Sequence, residues 1–190
     1  MGGTTPSIIR TMAVPRPLAA LLFPVCLLAQ TLCNCDPSKP ETMKERQCSL
    51  CAEVEKDPPG EAVVFRKDIN PRKPNRVIVM PRAHTPGLHV LSEYTPEQRV
   101  ELWTAAINKG KEKWGDQWGV AYNGDGVRTQ CHAHLHVSKL LVGVEWGEPL
   151  VISSIAEIPL PEGKAMWIHQ AGDKMHVHRD DQIAETVLLR

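Results

Sequence analysis

The sequence predicts an α+β domain in which an antiparallel sheet packs against one main amphipathic helix, followed by a short C-terminal extension. Three observations carry this prediction: short β-rich runs precede the helix, further β-rich runs follow it, and strand and helix patterns do not alternate. Parallel sheets are built from alternating strand and helix units, so the lack of alternation favours antiparallel pairing. A chain of 190 residues has room for one domain with an extension.

The β-rich runs are short and are bounded by turn-forming residues. Residues 62–65 and 76–80 form the first pair, joined by a loop that is rich in Asp, Asn and Pro. Residues 120–123 and 131–142 form the second pair, separated by a glycine-rich turn. Residues 146–190 continue in a strand-like pattern with frequent prolines and are interpreted as the extension.

The main helix has a clear start and a clear end. Thr95 is a favourable N-cap, Pro96 suits the first helical position, and Gln98 is placed to bond back to the cap. The apolar residues at helical spacing are Val100, Trp103, Ile107 and Trp114. They share one face of the helix, and Gly115 ends it.

The composition is that of a globular protein without a charge excess. The 22 Lys and Arg residues balance 22 Asp and Glu residues, and 42% of the chain is hydrophobic. Proteins that bind nucleic acid usually carry a basic excess, so we expect no nucleic-acid partner. The hydrophobic share excludes a disordered or collagen-like chain.

Residues 1–33 are interpreted as a signal peptide. Arg10 and Arg16 precede an apolar run over residues 18–29, and no acidic residue occurs before Asp36. A basic flank and an apolar run of about a dozen residues are typical of secretory signals, whereas a membrane span needs about 20 residues. We therefore expect an exported protein, periplasmic or secreted, with a cleaved signal and a linker over residues 34–47.

Three histidines in strict alternation are the strongest candidate site. His132, His134 and His136 alternate with apolar residues, so on a strand their imidazoles would share one face. Imidazole is neutral enough near pH 7 to attack phosphorus and to carry a phosphoryl or nucleotidyl group. A solvated strand face or a set of metal ligands are the alternatives for the same pattern.

Cys48 and Cys51 form a C-x-x-C pair whose role the spacing leaves open. In an exported protein such a pair is a disulfide, a redox pair or half of a zinc site.

The alternating run over residues 132–137 resembles the signature of the histidine triad superfamily. Further segments occur in that family's order and approximate spacing, at residues 48–51, 68–71, 77–84 and Asn123. Together they cover about residues 48–142. The resemblance implies an antiparallel sheet with packed helices, a catalytic domain over residues 48–145, and hydrolysis or transfer at the α-phosphate of a nucleotide conjugate.

The resemblance also implies a role for individual residues. His134 corresponds to the nucleophile that takes up the nucleotidyl group, and His136 to a histidine facing the leaving group or a phosphate oxygen. Asp68 corresponds to a contact with ribose hydroxyls, and Asn123 and Thr129 to phosphate contacts. In zinc-containing members the ligands of a closed, structural Zn²⁺ site correspond to Cys48, Cys51, His84 and His132.

Two departures from the soluble members of the family point to a particular branch. Arg76 stands where those members usually carry a histidine, and the triad is preceded by Arg128, Thr129 and Gln130. The residues that precede the triad, together with the export signal and the C-terminal extension, resemble those of the CDP-diacylglycerol pyrophosphatases. Arg128 also suits a pyrophosphate as a charge-assisted donor.

We therefore expect a nucleotide or a nucleotide-lipid as substrate, with CDP-diacylglycerol cleaved to CMP and phosphatidic acid. A peripheral membrane contact and a homodimer are further expectations. The contact is expected near Trp146 and Trp167 or at the basic residues Lys39, Lys44 and Arg46.

Three other functions remain open at this point. The first is a general hydrolase or transferase of dinucleoside polyphosphates or nucleotide conjugates. The second is a non-catalytic exported protein that binds zinc or copper, and the third is a redox protein that uses Cys48 and Cys51. The histidines of the extension, His169, His176 and His178, have no assigned role.

Overall fold

The computed structural model describes residues 1–2, 33–58, 60–82, 89–180 and 183–190. Nearly all of the expected signal peptide, and His84, lie outside the described residues. The described chain is α+β, with a seven-stranded antiparallel sheet and one main helix, which confirms the predicted class. Within those ranges, no helix is long and apolar enough to cross a membrane.

The sheet is built from strands that are distant in the sequence. In chain order the strands are β1 (Val63–Lys67), β2 (Val77–Pro81), β3 (Trp118–Tyr122), β4 (Leu135–Lys139), β5 (Leu150–Ile152), β6 (Ala165–Ala171) and β7 (Lys174–Asp180). Their order in the sheet is β1-β2-β4-β3-β6-β7-β5. The helices are α1 (Ser49–Val54) and α2 (Pro96–Trp114), and a 3-10 helix over Ala184–Val187 lies in the C-terminal segment, residues 183–190.

The main helix begins and ends where the sequence predicts. The Thr95 hydroxyl accepts a hydrogen bond from the Gln98 amide at 3.3 Å, and the Gln98 side chain accepts one from the Thr95 amide at 2.9 Å. Gly115 follows the last helical residue with a φ of 56°, a conformation that glycine adopts without strain. On the predicted apolar face, Trp103 and Ile107 are fully buried.

The two faces of the sheet have different coverings. Residues paired directly across the strands share a face, and the row Val137, Val120, Ile168 and Val177 lies under α2 in the main core. We call the opposite side the site face. Its central row contains Ile78, His136, Ala121, Trp167 and His178.

The site face is covered by α1 at one end and by the C-terminal segment in the middle. Helix α1 packs Leu50 and Val54 against β1 and β2, and the C-terminal segment packs Leu188 against Ala121 and its neighbours. Gly119 makes this close approach of the segment feasible, because a Cβ at that position would lie 2.6 Å from the Leu188 Cδ2 atom.

Residues 146–190 are not an appendage to the domain, which corrects the predicted boundary at residue 145. They supply three of the seven strands, and β6 pairs with β3 in register from Gly119 to Tyr122. A domain that ended at residue 145 would leave β3 with an unpaired edge in the middle of the molecule, which natural sheets avoid.

Two disulfides tie the N-terminal part of the described chain to the domain. Cys33 is bonded to Cys131 across 98 residues, and Cys35 is bonded to Cys48 across 13 residues. Cys33 therefore belongs to the folded chain rather than to the signal, and the boundary at residue 33 is wrong. Residues 34–47 are likewise not a simple linker, because Cys35 is buried and the segment forms two 3-10 turns.

We predict that Cys51 carries the one free thiol among the five described cysteines. The full chain carrying Cys26→Ser is unfolded with denaturant and a chelator but without reductant, and its thiols are then counted with a chromogenic disulfide reagent. One thiol per chain is expected before reduction and five after it. Three or more before reduction would show that at least one of the two disulfides does not form.

Candidate active site

Two histidines, one directly before strand β4 and one on it, line a cleft on the site face. Leu135 and Val137 are buried on the α2 side, as the alternation predicts, so His136 points to the opposite face. His134 directly precedes the strand, and its ring centroid lies 4.9 Å from that of His136. Both rings line a cleft of about 430 Å³. His132 does not line this cleft, so two of the three histidines share it.

The cleft is lined by many charged and polar groups and a few apolar ones. Its basic residues are Arg46, Arg66, Lys67, Lys73 and Arg128, and its acidic residues are Glu53, Asp68 and Glu185. The five positive and three negative groups give the lining a net charge of +2. Such an excess attracts an anionic ligand.

The hydrogen bonds of His134 leave one ring nitrogen available as a nucleophile. Its Nδ1 lies 2.7 Å from the carbonyl oxygen of His132, and a carbonyl only accepts, so Nδ1 carries the hydrogen. The Nε2 atom of the neutral ring then has an unshared lone pair. Burial lowers the pKa of His134 below its usual value, which keeps the ring neutral at neutral pH.

His136 is held from behind by Asn123 and Glu185. The Asn123 carbonyl oxygen accepts a hydrogen bond from the Glu185 amide at 3.1 Å, which directs its NH₂ group toward Nε2 of His136 at 3.4 Å. Nε2 must then accept, so the proton lies on Nδ1, 3.3 Å from a Glu185 carboxylate oxygen. Burial, together with His134, holds the pKa of His136 well below its usual value. Asn123 therefore orients the His136 ring beside His134, and the Glu185 carboxylate lies close to Nδ1 without a hydrogen bond of good geometry.

Glu185 links His136 to a buried guanidinium, a connection that the sequence analysis did not predict. Arg76 is 2% exposed, pairs with the Glu185 carboxylate, and donates to the carbonyls of Glu185, Leu188 and Leu189 at 2.6, 3.0 and 3.1 Å. Lys73 binds the same carboxylate at 2.7 Å. The one signal was Arg76 itself, which stands where a histidine was expected and directly before a buried strand.

The predicted substrate-binding residues line the cleft but differ in what they contact. Asp68 accepts a hydrogen bond from the Asn70 amide at 2.9 Å, and Thr129 is exposed. Arg128 donates to the carbonyl of His89 and, at 3.3 Å, to that of Cys131. These bonds hold Arg128 against the segment that leads to the triad.

Gln130, which is also predicted to bind substrate, lines the cleft and bonds to the start of helix α1. Its side-chain oxygen accepts from the Ser49 hydroxyl at 2.8 Å and the Leu50 amide at 3.3 Å, and its NH₂ group donates to the Arg46 carbonyl at 3.1 Å. Both ends of the amide therefore fix the start of α1 against the triad segment.

The described residues do not form the predicted zinc site. The Cys48 sulfur is bonded to Cys35, so it has no thiolate to offer a metal, and it is not paired with Cys51 as a redox protein would require. Burial raises the pKa of the Cys51 thiol to about 12, and His132 donates from Nε2 to the Pro81 carbonyl at 2.7 Å. His84 lies outside the described residues. In this structure Cys48 is therefore not available as a zinc ligand, and the predicted zinc site stays a prediction.

Other groups of metal-binding side chains occur in the described residues. Asp68, His136 and Glu185 place donor atoms within 4.8 Å of one another, but Lys73 and Arg76 already neutralise Glu185. A group outside the cleft contains Glu145, His169, His176 and His178.

The sequence matches no model of a known protein family, and no curated protein is significantly similar to it.

We predict that Glu185→Gln lowers the free energy of unfolding by about 2–3 kcal/mol, because Arg76 would stay buried without its carboxylate. Urea unfolding at neutral pH measures this, with Glu157→Gln on the exposed surface as the matched control. A loss below about 0.5 kcal/mol, the level of an ordinary surface substitution, would contradict the role given to the pair.

Proposed function

We propose that this chain is an exported histidine triad hydrolase that cleaves a nucleotide phosphoanhydride at the α-phosphate through a nucleotidyl-His134 intermediate. One observation carries the proposal: the bond from Nδ1 of His134 to the His132 carbonyl leaves the lone pair of Nε2 in a cleft with a positively charged lining. Covalent catalysis at phosphorus requires a nucleophile that is held in one tautomer, next to positively charged groups that bind the phosphate.

In the first step the Nε2 lone pair of His134 attacks the α-phosphorus. A bond forms between nitrogen and phosphorus, and the bond from phosphorus to the bridging oxygen breaks. The leaving phosphate departs as an anion, and because its second pKa is near 6 it needs no proton donor. The ring becomes a nucleotidyl-imidazolium, whose charge is stabilised by the hydrogen bond from Nδ1 to the His132 carbonyl.

In the second step water attacks the same phosphorus. The new oxygen–phosphorus bond replaces the nitrogen–phosphorus bond, the electron pair returns to Nε2, and the water proton passes to solvent. The nucleoside monophosphate leaves, and His134 is neutral again. Its pKa, lowered by burial, favours this return to the neutral ring.

The cations of the cleft provide electrostatic stabilisation of the phosphate oxygens. Arg46 and Lys67 are exposed, and neither makes an ion pair within the described part of the chain. They are the side chains that can turn toward a pyrophosphate at little cost, since no existing ion pair has to break. Arg66 and Lys73 are already paired with carboxylates.

Export is supported by the disulfides. Disulfides form and persist in oxidising compartments, and the two among the described residues join Cys33 and Cys35, close to the expected signal, to the rest of the domain.

A lipid-linked nucleotide is the proposed substrate, because exposed apolar side chains line the cleft. Ile69, Val127 and Ile183 are 78%, 39% and 42% exposed. Apolar groups at the mouth of a charged cleft suit a molecule with a pyrophosphate and acyl chains, such as CDP-diacylglycerol. Trp167 is fully buried and is therefore excluded as the expected membrane contact, whereas Trp146 is half exposed.

We predict that His134→Ala abolishes turnover while the protein stays folded, because the variant cannot form the covalent intermediate. Activity should fall by several orders of magnitude, and the base-stable, acid-labile labelling of the protein by a radioactive nucleotide should disappear. Lys111→Ala, on the exposed side of α2, is the control. More than a tenth of the wild-type rate in the His134 variant would refute the mechanism.

We predict that kcat/KM for CDP-diacylglycerol in mixed micelles exceeds that for soluble dinucleoside polyphosphates at least tenfold, about 1.4 kcal/mol of discrimination. The triple variant Ile69→Ser, Val127→Ser, Ile183→Ser should lose the preference and keep its rate on soluble substrates.

Val142→Ser, at an exposed apolar residue outside the cleft lining, is the control for this variant. Equal or faster cleavage of soluble dinucleotides by the wild-type chain would instead favour a general nucleotide hydrolase.

A further inference from the structure

A second histidine cluster lies on the site face, at the far end from the active-site cleft. His169 on β6 pairs directly with His176 on β7, and His178 follows two residues later on the same face. Glu145 reaches this face from the loop between β4 and β5. His178 lies three strands from His136 along one row, a separation of about 14 Å at the usual strand spacing.

The four side chains converge on one point. Nε2 of His169 and Nε2 of His178 lie 3.5 and 3.8 Å from the same Glu145 carboxylate oxygen, which Nδ1 of His176 also contacts. The two Nε2 atoms are 3.4 Å apart. Ligands about 2.0–2.1 Å from a tetrahedral zinc ion lie about 3.4 Å from one another, so these separations already match a coordination shell.

The imidazoles are held in this arrangement by their surroundings. Nδ1 of His169 lies 2.9 Å from the Gln170 carbonyl, so it carries the hydrogen and Nε2 presents a lone pair. Trp167 stacks on His178 at 3.7 Å and on His169 at 5.3 Å. Trp146 packs on Trp167 at 5.7 Å and so brings the neighbouring Glu145 over the cluster.

The arrangement of acceptor atoms in the cluster suits a bound cation. The lone pair of His169 faces a carboxylate oxygen, and two such acceptors repel each other unless a proton or a cation lies between them. A bound cation would satisfy the acceptors together.

We propose that Glu145, His169, His176 and His178 form a binding site for a divalent transition-metal ion, with Zn²⁺ as the best match. Three imidazole nitrogens and one carboxylate oxygen are ligands that zinc, copper and nickel prefer, whereas Mg²⁺ and Ca²⁺ require oxygen shells. The protein supplies four ligands, so the ion stabilises the fold at this edge of the sheet. Ions enter from the side of Glu145 and His176, whose side chains are 43% and 24% exposed.

The test uses the full chain after removal of metals with a chelator. Titration calorimetry with Zn²⁺ should show one ion per chain, and titration with Mg²⁺ should show none. Zn²⁺ should also raise the midpoint of thermal unfolding, because it binds the folded chain only. Absence of Zn²⁺ binding would overturn the proposal.

Variants at the exposed rim locate the ion without disturbing the core. Glu145→Gln and His176→Asn should each weaken Zn²⁺ binding at least tenfold, and their unfolding midpoints without metal should stay close to that of the wild type. Glu148→Gln, on the same loop, should bind like the wild type, as should Cys51→Ser. Loss of binding in Cys51→Ser, or unchanged binding in both rim variants, would place the ion elsewhere and refute the site.

Discussion

The buried guanidinium of Arg76 is the constraint on which the arrangement of the site depends. A charge with almost no solvent contact is tolerated only where carbonyls and a carboxylate compensate for its lost hydration. The C-terminal segment provides both, through the Glu185 carboxylate and the carbonyls of Glu185, Leu188 and Leu189. Arg76 therefore fixes the segment over the sheet, and the segment in turn brings Glu185 to His136.

The approach to the triad is restrained from the other side by covalent bonds. Cys131 directly precedes His132 and is bonded to Cys33, while its amide donates to the Gln47 carbonyl at 2.8 Å. Gln130 holds the start of α1 in the same region. His134 therefore lies between a covalently held segment and strand β4, which is the kind of support that keeps a side chain in one geometry.

The features that the sequence predicts are those with a local signal. Helix α2 follows from its capping residues and apolar spacing, and the orientation of His136 follows from the alternation with Leu135 and Val137. Contacts between residues that are far apart in the sequence have no local sequence signal, so they were not predicted. The hydrogen bond between Glu185 and Asn123 spans 62 residues, and the disulfide between Cys33 and Cys131 spans 98. The C-x-x-C spacing was misleading, because the partner of Cys48 is Cys35, in a segment that reads as a polar linker.

The position of Glu185 also has a consequence for the order of events during synthesis. Strands β1 to β4 leave the ribosome long before the residues that hold His136 in place, and β6 must arrive before β3 gains its second neighbour. Domains generally fold as units, so this sheet and its histidines reach their working geometry only after residue 185 has emerged. A nascent chain that already carries all three histidines therefore still lacks the contacts of Glu185 with Arg76 and His136, and the cleft is complete only after the C-terminal segment has joined the sheet.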